Sequence, residues 1–294
     1  MQNNMDRLSA AAAVLMLVTW ALPGVFVRQL PELALLELSA WRLIPTIFPF
    51  IIILFLSCRF RIAVIGVLRD PMVLLASLFM TAYFTISNLA FSYAPIAVVA
   101  LLISLAPLWV MLFEKMTGSR QSIRETAGAS LAFAGLVICL WPGLTGADKS
   151  IGVMGIAGGL TCSFLSAAFV LISRFRNNGD SYRPMAATFF VFIFGIPLLL
   201  LSQFTEATYG PWNLEFSGYL DLIALGIIST AVPTLCYAFI GSRMPATVTA
   251  LMNLLVPPAA AVAAWLFLGE RLSPLALTGG AVSLGGLLLV VTRR

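Results

Sequence analysis

The residues in this chain that carry reactive chemistry are few and far apart. There is no histidine, and Cys58, Cys139, Cys162 and Cys236 have no metal-binding spacing. Without histidine, the zinc-binding HExxH motif and serine–histidine catalysis are excluded, and no phosphate-binding loop is present. Isolated cysteines in apolar runs fit the role of small core side chains. We therefore expect no catalytic residue, no metal, no cofactor and no enzymatic activity.

The polar side chains that remain lie inside long apolar runs, and nearly all of them are uncharged. Hydroxyls, amides and aromatic rings in such places can orient a small neutral ligand. Each also has an ordinary packing role as the alternative, because serine often bonds to its own helix. The residues predicted to bind substrate are Trp20, Tyr83, Ser87, Asn88, Ser104, Ser163, Ser166, Thr249 and Asn253.

Arg42 is the one basic residue well inside an apolar run. A cation in the hydrocarbon is costly, so an arginine there is a functional candidate by default. The alternative is an arginine that extends toward the membrane surface and pairs with Glu37. The sequence leaves both open, and Arg42 joins the predicted substrate-binding residues.

The elements that hold these residues are membrane spans. The chain is 61% hydrophobic and 10% charged over 294 residues, whereas a soluble domain is about 45–50% apolar and about 25% charged. A spanning helix needs about 20 mostly apolar residues. Ten segments qualify: 8–27, 34–57, 72–92, 95–115, 125–141, 151–173, 185–204, 217–240, 245–267 and 275–292. The predicted fold is an all-α integral membrane protein with ten transmembrane helices.

The basic residues between these segments predict the orientation of the chain. Ten spans place both termini on one side, and Lys and Arg concentrate on the cytoplasmic side. Three basic residues fall on the side opposite the N-terminus: Arg28, Lys149 and Arg271. The N-terminal side has many more: Arg7, Arg59, Arg61, Arg69, Lys115, Arg120, Arg124, Arg174, Arg176, Arg183, Arg243, Arg293 and Arg294. Both termini are therefore predicted to be cytoplasmic, and the net charge of +5 does not indicate nucleic-acid binding.

Two stretches of the chain repeat at a fixed offset of 150. PIAVVALLISLAPLW begins at Pro95, and PATVTALMNLLVPPA begins at Pro245. Each half of the chain has five predicted spans, which is an odd number, so the two halves cross the membrane in opposite directions. We predict two inverted five-helix repeats, 1–145 and 146–294, an arrangement that recurs in secondary transporters.

Both repeated stretches contain proline where a helix interior is expected. Pro107 lies in the first, and Pro257 and Pro258 lie in the second. Proline removes a backbone donor and displaces the carbonyl four residues earlier. A freed carbonyl in the hydrocarbon must find a partner or line a wet cavity. We predict two matched helix breaks near mid-membrane that take part in gating beside a substrate site.

These stretches resemble the drug/metabolite transporter superfamily in its EamA-type branch. The resemblance is carried by NLAFSYAPIAVVALLISLAP from Asn88, by PATVTALMNLLVPPAAAVAAWLFLGERLS from Pro245, and by Arg42 after Trp41. Trp20 and Tyr83 are also similar to the aromatic amino-acid exporter (YddG-type) group, although Ala106 and Ser166 depart from that pattern. The second half has Glu270 after its repeat, where the first half has Arg120 at the same offset.

The resemblance and the uncharged pocket together predict a secondary transporter of the bacterial inner membrane. It would export small neutral metabolites by alternating access through a central uncharged cavity. The main expected substrates are amino acids, including aromatic or hydrophobic ones. Purines, nucleotide sugars or drugs are the alternative substrates, and a non-transporting scaffold or an intramembrane enzyme is the alternative class. The expected partners are a small-molecule substrate and the lipid bilayer, with no nucleic acid. The oligomeric state stays open.

Overall fold

The structure is a computed structural model, and it describes residues 2–118, 122–145, 150–176, 182–205, 214–241 and 252–292. The described residues form helices joined by short connections, with no strand among them. Large apolar side chains cover the outside of these helices, among them Phe55, Phe204 and Met116. Such a surface is suited to lipid.

The helices group into ten spans, numbered here in chain order. Span 1 contains α1 (Gln2–Trp20) and α2 (Pro23–Gln29), span 2 is α3 (Leu35–Leu56), and span 3 is α5 (Pro71–Tyr93). Span 4 contains α6 (Ile96–Ile103) and α7 (Ala106–Met116), span 5 is α8 (Ile123–Leu144), and span 6 is α9 (Val153–Phe175). Span 7 contains α10 (Arg183–Ile193) and α11 (Gly195–Thr205). Span 8 contains α12 (Phe216–Ile223), a π-helix (Ala224–Ala231) and α13 (Val232–Gly241), span 9 is α14 (Val256–Leu268), and span 10 is α15 (Pro274–Val291).

The prediction of an all-α membrane protein with about ten spans is confirmed. Nine helical segments of the described chain are long and apolar enough to cross a membrane, and Met252–Leu268 is a shorter apolar helix. The predicted ninth span begins at 245, so its first seven residues lie outside the described residues. The helix α4 (Cys58–Leu68) was not predicted, because its 11 residues are too few to span a membrane.

Local signals set the helix ends. The Asp70 side chain accepts the Met72 N–H ahead of α5, and Ser122 with Glu125 forms a capping box on α8. The Ser273 side chain accepts the Ala276 N–H at the start of α15. Gly269 ends α14 with a positive φ of 66°, a conformation that glycine adopts without a steric penalty.

The closest packing of two helices in the described structure joins spans 5 and 10 through glycine. A Cβ on Gly135 would lie 2.7 Å from the Gly279 carbonyl oxygen, and one on Gly128 would lie 2.8 Å from that of Gly286. Small residues permit such close contact, which membrane helices use in place of the hydrophobic effect. At an offset of 151, Gly128 corresponds to Gly279 and Gly135 to Gly286. Each of the two contacts is therefore the counterpart of the other.

Other span pairs follow the same correspondence. Spans 3 and 6 pack together, and so do their counterparts, spans 8 and 1. Spans 2 and 8 are in contact, as are their counterparts, spans 7 and 3. Span 2 packs against its own counterpart, span 7, and span 4 packs against its own counterpart, span 9. This pattern is what two related halves would produce, and the division into repeats at residue 145 stays a prediction.

Candidate functional site

Arg42 lies at the centre of a polar cluster formed by three spans. The residue is 3% exposed, and its Nε donates to Thr230 Oγ1 of span 8 at 3.1 Å. Its Nη1 donates to Asn88 Oδ1 at 2.6 Å and to Ser87 Oγ at 3.3 Å, both on span 3. We call Ser39, Arg42, Ser87, Asn88 and Thr230 the arginine cluster. It brings together three of the predicted substrate-binding residues.

A second layer fixes the orientation of the cluster. Asn88 Nδ2 donates to Ser39 Oγ at 3.0 Å, and Ser39 Oγ donates to the Leu35 carbonyl at 2.7 Å. The Asn88 amide therefore keeps its oxygen toward Arg42. The guanidinium carbon of Arg42 also lies 4.9 Å from the centre of the Phe84 ring, a favourable cation–π geometry.

The helices carrying the cluster depart from regular α geometry. Pro45 lies inside α3, and the Thr46 hydroxyl contacts the carbonyl oxygens of Arg42 and Gly226, both at 3.1 Å. On span 8, Thr230 Oγ1 donates to the Leu225 carbonyl, five residues earlier, at 2.8 Å. That bond spans one turn of the π-helix, and π-helical turns are frequent at functional sites.

Arg42 has no carboxylate partner among the described residues. The predicted alternative, a pair with Glu37, is absent; Glu37 is itself buried and has its own interactions. The bonds from Nε and Nη1 all go to neutral oxygens, and Nη2 donates to none of the described side chains. A buried cation without a counter-ion is only partly compensated by neutral acceptors. This arrangement can accept an anionic group of a ligand.

A second group, which contains the predicted residues Trp20 and Asn253, lies around Tyr237, further along span 8. The rings of Trp20 and Tyr237 are 5.4 Å apart, and Asn253 lies beside the Tyr237 hydroxyl. The Oδ1 atom of Asn253 is buried without a hydrogen-bond partner among the described residues. We call Trp20, Tyr237 and Asn253 the aromatic group. Tyr237 follows Thr230 by seven residues, which is two helical turns, or about 10 Å along the axis.

The other predicted site residues have different positions. Tyr83 is half-buried, with its ring 5.2 Å from that of Phe84. Ser104 donates to the Leu101 carbonyl at 2.7 Å, within its own span. Ser166 is half-buried and is not joined to either group by a described hydrogen bond. Thr249 lies outside the described residues.

Ser163 serves the packing of two helices. It is fully buried, donates to the Leu160 carbonyl at 2.7 Å, and accepts the indole N–H of Trp109 at 2.8 Å. Its hydroxyl is therefore occupied at the contact of spans 6 and 4. The structure does not bring Ser163 or Ser104 to the arginine cluster.

The α-helix is interrupted before Pro107 and before Pro257, and one hydrogen bond is common to the two interruptions. Leu105 donates to the Leu102 carbonyl at 3.2 Å, and Leu255 donates to the Met252 carbonyl at 3.1 Å. These bonds close one tight turn before Pro107 and before Pro257, and they correspond at the offset of 150. Pro257 is buried, whereas the neighbouring Pro258 is exposed. A role of these prolines in gating stays a prediction.

No cluster of His, Cys, Asp or Glu suited to a metal ion occurs in the part of the chain that the structure describes. An apolar groove of about 240 Å³ lies between spans 3 and 7, lined by residues such as Leu78, Thr85 and Pro197. This groove contains no member of the arginine cluster or the aromatic group.

Comparison with known proteins agrees with this architecture. Residues 153–292 match the EamA-like transporter family. This match covers slightly less than half of the chain and, with the relatives below, supports a relationship to the EamA-type drug/metabolite transporter superfamily. A solved crystal structure with 19% identity has the same fold, with a TM-score of 0.65 over 96% of both chains.

Three relatives of this chain are named as transporters. A protein of Streptantibioticus cattleyicolor named "Probable terminal-alkyne amino-acid exporter" is 27% identical over 73% of the chain and 70% of its own length. An uncharacterized transporter of Archaeoglobus fulgidus is 27% identical over 66% of each chain. An uncharacterized transporter of Bacillus subtilis is 23% identical over 69% of the chain and 65% of its own length. The chain is thus a membrane protein related to transporters, and the aromatic amino-acid exporter subgroup stays a prediction.

Sequence reasoning missed several members of the two groups. Ser39, Thr230 and Tyr237 were not among the residues predicted to bind substrate. Thr230 is 188 residues from Arg42 in the chain, so the sequence gave no signal of their contact.

Proposed function

We propose that this protein is a secondary transporter that exports amino acids, including aromatic or hydrophobic ones. The support is similarity to a family of transporters, a relative named as an amino-acid exporter, and a buried arginine that has no carboxylate partner among the described residues. The arginine is the observation that carries the substrate class. An amino acid brings one carboxylate, and a guanidinium binds a carboxylate through two donors in a fixed geometry.

In this proposal the Nη2 atom of Arg42 donates to the substrate carboxylate. Ser87, Asn88 and Thr230 hold the guanidinium in place through its other nitrogens. Because the guanidinium is already oriented, little side-chain entropy is lost when the substrate binds. The guanidinium of Arg42 lies over the ring of Phe84. The neighbouring Tyr83 ring, which is in contact with Phe84, supplies a further wall of the pocket.

The aromatic group is the proposed contact for the substrate side chain. Trp20 and Tyr237 supply ring surface, and the unpaired Asn253 oxygen supplies one acceptor. The distance of about 10 Å along span 8 suits a solute with a carboxylate at one end and an apolar body at the other. A solute with several phosphates would need more cations than Arg42 alone.

Transport is proposed to occur by alternating access between two inverted repeats, 1–145 and 146–294. The matched breaks at Leu105 and Leu255 and the paired glycine contacts of spans 5 and 10 support this. Two similar halves of opposite orientation can exchange conformations, so that the path opens first on one side and then on the other. We further propose that both termini are cytoplasmic, that the protein is not an enzyme, and that export is downhill or by exchange.

The test is counterflow in proteoliposomes with labelled amino acids, purines and nucleotide sugars. We expect uptake of labelled amino acids into vesicles preloaded with unlabelled amino acid, without an imposed proton or sodium gradient. A requirement for such a gradient would overturn the downhill mechanism. Uptake of purines or nucleotide sugars with no uptake of amino acids would overturn the substrate class.

Three variants test the pocket in the same assay. Arg42→Ala, Tyr83→Ala and Asn253→Ala should each lower amino-acid counterflow. Arg59→Ala is the matched control, because Arg59 lies on the exposed side of α4, away from the cluster. Unchanged counterflow in all three site variants would refute the assignment of the site.

A further inference from the structure

Helix α4 lies between spans 2 and 3 and is too short to cross a membrane. Its 11 residues measure about 16 Å along the axis, whereas the hydrocarbon core is about 30 Å thick. Span 2 ends at Leu56 and span 3 begins at Pro71, so both ends of α4 are attached to membrane spans. The helix is therefore held at the membrane surface, at the end of the molecule where span 3 begins.

One face of α4 is fixed against the protein. The Phe60 ring lies 6.1 Å from the ring of Phe189 on span 7. The buried residues of the helix are Phe60, Ala63, Val64 and Val67. Because packing holds this face, the direction of the opposite face is fixed before any partner binds.

The outward face of α4 combines apolar and basic side chains. Ile65 and Leu68 are 51% and 55% exposed, and Arg61 and Arg69 are exposed beside them. The separations of four, three and one residues from 61 to 69 place all four on one side of a helix. We call Arg61, Ile65, Leu68 and Arg69 the α4 stripe. Exposed apolar side chains at a membrane surface can be buried among the lipids.

The two arginines of the α4 stripe are not neutralised by a described carboxylate. Asp70, the next residue in the chain, pairs instead with Arg183 at 2.6 Å and lies 4.0 Å from Arg176. The sequence of α4 itself contains no acidic residue. The stripe therefore presents positive charge beside apolar surface. This combination is complementary to a phosphate headgroup joined to acyl chains.

The second half of the chain has no counterpart of the α4 stripe. At the offset of 150, Arg61 and Arg69 correspond to Pro211 and Tyr219. Ile65 corresponds to Glu215. The repeated fold therefore does not require the stripe. The stripe occurs on the side predicted to be cytoplasmic, where anionic lipids give a bilayer its negative surface potential.

We propose that the α4 stripe is a docking surface for an anionic phospholipid of the surrounding bilayer. Arg61 and Arg69 bind the headgroup phosphate, and Ile65 and Leu68 enter the boundary between headgroups and acyl chains. The proposal goes beyond transport and rests only on the location of the chain in a membrane. A failed transport assay would leave it standing.

The test measures lipid binding beside the stripe in the full chain, reconstituted in phosphatidylcholine vesicles. A fluorophore is attached at Ile62→Cys, which is exposed next to the stripe. Cys58 and Cys236 are replaced by serine, and the buried Cys139 and Cys162 are kept. The quenchers are phosphatidylglycerol and phosphatidylcholine with a spin label near the headgroup. We expect phosphatidylglycerol to bind about fivefold more strongly, the size that one basic residue near a membrane surface contributes.

Arg61→Gln combined with Arg69→Gln is the decisive variant, because it removes the charge and keeps long polar side chains. It should bring the preference for phosphatidylglycerol close to one. Arg59→Gln combined with Arg124→Gln is the matched control. Arg59 lies nine residues before Leu68, which places it on the opposite flank of the helix. The control removes two exposed charges at the same end of the molecule and should keep the preference.

Equal binding of the two lipids to the parent protein would overturn the proposal. So would an equal loss of preference in the decisive and control variants. Inorganic phosphate in the buffer, at constant ionic strength, should leave the quenching unchanged. Displacement of the lipid by phosphate would assign the stripe to a soluble anion instead.

A depth measurement tests the apolar part of the stripe, and it decides the question if the arginine variant does not fold. A spin label at Ile65→Cys should be reached more by lipid-soluble oxygen than by a water-soluble nickel chelate. A label reached mainly by nickel would place the stripe in water. A label shielded from both would place it against another protein surface, such as a second copy of this chain. Either result would overturn the proposal.

Discussion

Phe84 is contacted from both halves of the chain, and the two contacts differ in chemistry. From the first half, the guanidinium carbon of Arg42 lies 4.9 Å from its ring centre. From the second half, the Phe192 ring lies 6.2 Å away. Phe192 is the residue that corresponds to Arg42 at the offset of 150. The same position therefore holds a cation in one half and a buried aromatic side chain in the other.

The backbone features of the two halves match far better than these side chains do. The turns before Pro107 and Pro257 have the same hydrogen bond, and the glycine contacts of spans 5 and 10 are counterparts. In the proposed transport cycle, backbone symmetry would serve the motion, because both halves must be able to adopt both conformations. Side-chain asymmetry would serve recognition, because one substrate carboxylate needs one arginine. The predictions below test this separation of roles.

The largest expected effect is the loss of transport when Arg42, the cation in the first half, is replaced by a neutral residue. Arg42→Met should lower amino-acid counterflow at least about 100-fold, because a buried charged partner is lost. Phe192→Met, the same new side chain at the corresponding position, should keep counterflow within about threefold. Both variants need to elute as monodisperse protein in detergent. Equal losses in the two variants would show that the site is shared by the halves.

The next effect is on stability at the contact of spans 5 and 10. Gly279→Ala places a Cβ in steric conflict with the Cys139 backbone nitrogen, so the helices must separate, at a cost of about 1–3 kcal/mol. Gly128→Ala, at the counterpart position, should cost a similar amount. Gly285→Ala is the control on the same helix, because nothing lies within 4 Å of its new Cβ. Unfolding of the purified proteins in mixed micelles measures these differences, and a destabilised Gly285→Ala protein would contradict them.

A smaller effect is expected at the helix breaks. Pro107→Ala and Pro257→Ala each restore a backbone donor and favour a continuous helix. Each should slow counterflow by about threefold to tenfold, and by similar factors, since coupling elements of this kind contribute modest free energies. Pro258→Ala, at the exposed neighbour, should have less effect. A large loss of counterflow in only one of Pro107→Ala and Pro257→Ala would contradict the equivalence of the two breaks that we infer from the backbone.

The smallest expected effect separates a packing serine from a binding one. Ser163→Ala leaves the indole N–H of Trp109 without its acceptor and should cost about 1 kcal/mol of stability. The relative uptake of different amino acids should not change, because the Ser163 hydroxyl is already occupied. A changed substrate profile in Ser163→Ala would show that the Ser163 hydroxyl takes part in substrate binding.

Much of the fold could be predicted from the sequence, because lipid imposes simple rules on it. Span length, the proline breaks and the correspondence of Pro95 with Pro245 all follow from local patterns. Helix α4 could not be found in this way, because its four buried residues face the protein and no length rule applies. The candidate site was predictable only in part. Arg42 was identifiable because a charge is rare in an apolar run, whereas Ser39 and Tyr237 carry no such signal.

The sequence by itself determined that the chain is a helical membrane protein with two matched helix breaks and one arginine in a span. Only the tertiary structure decided the partners of that arginine, because hydrogen bonds between spans 2, 3 and 8 depend on how the helices are rotated against one another. It also decided that Glu270 pairs with Arg28, residues far apart in the chain. Apolar patterns specify which segments enter the bilayer, whereas packing specifies which faces of those segments meet.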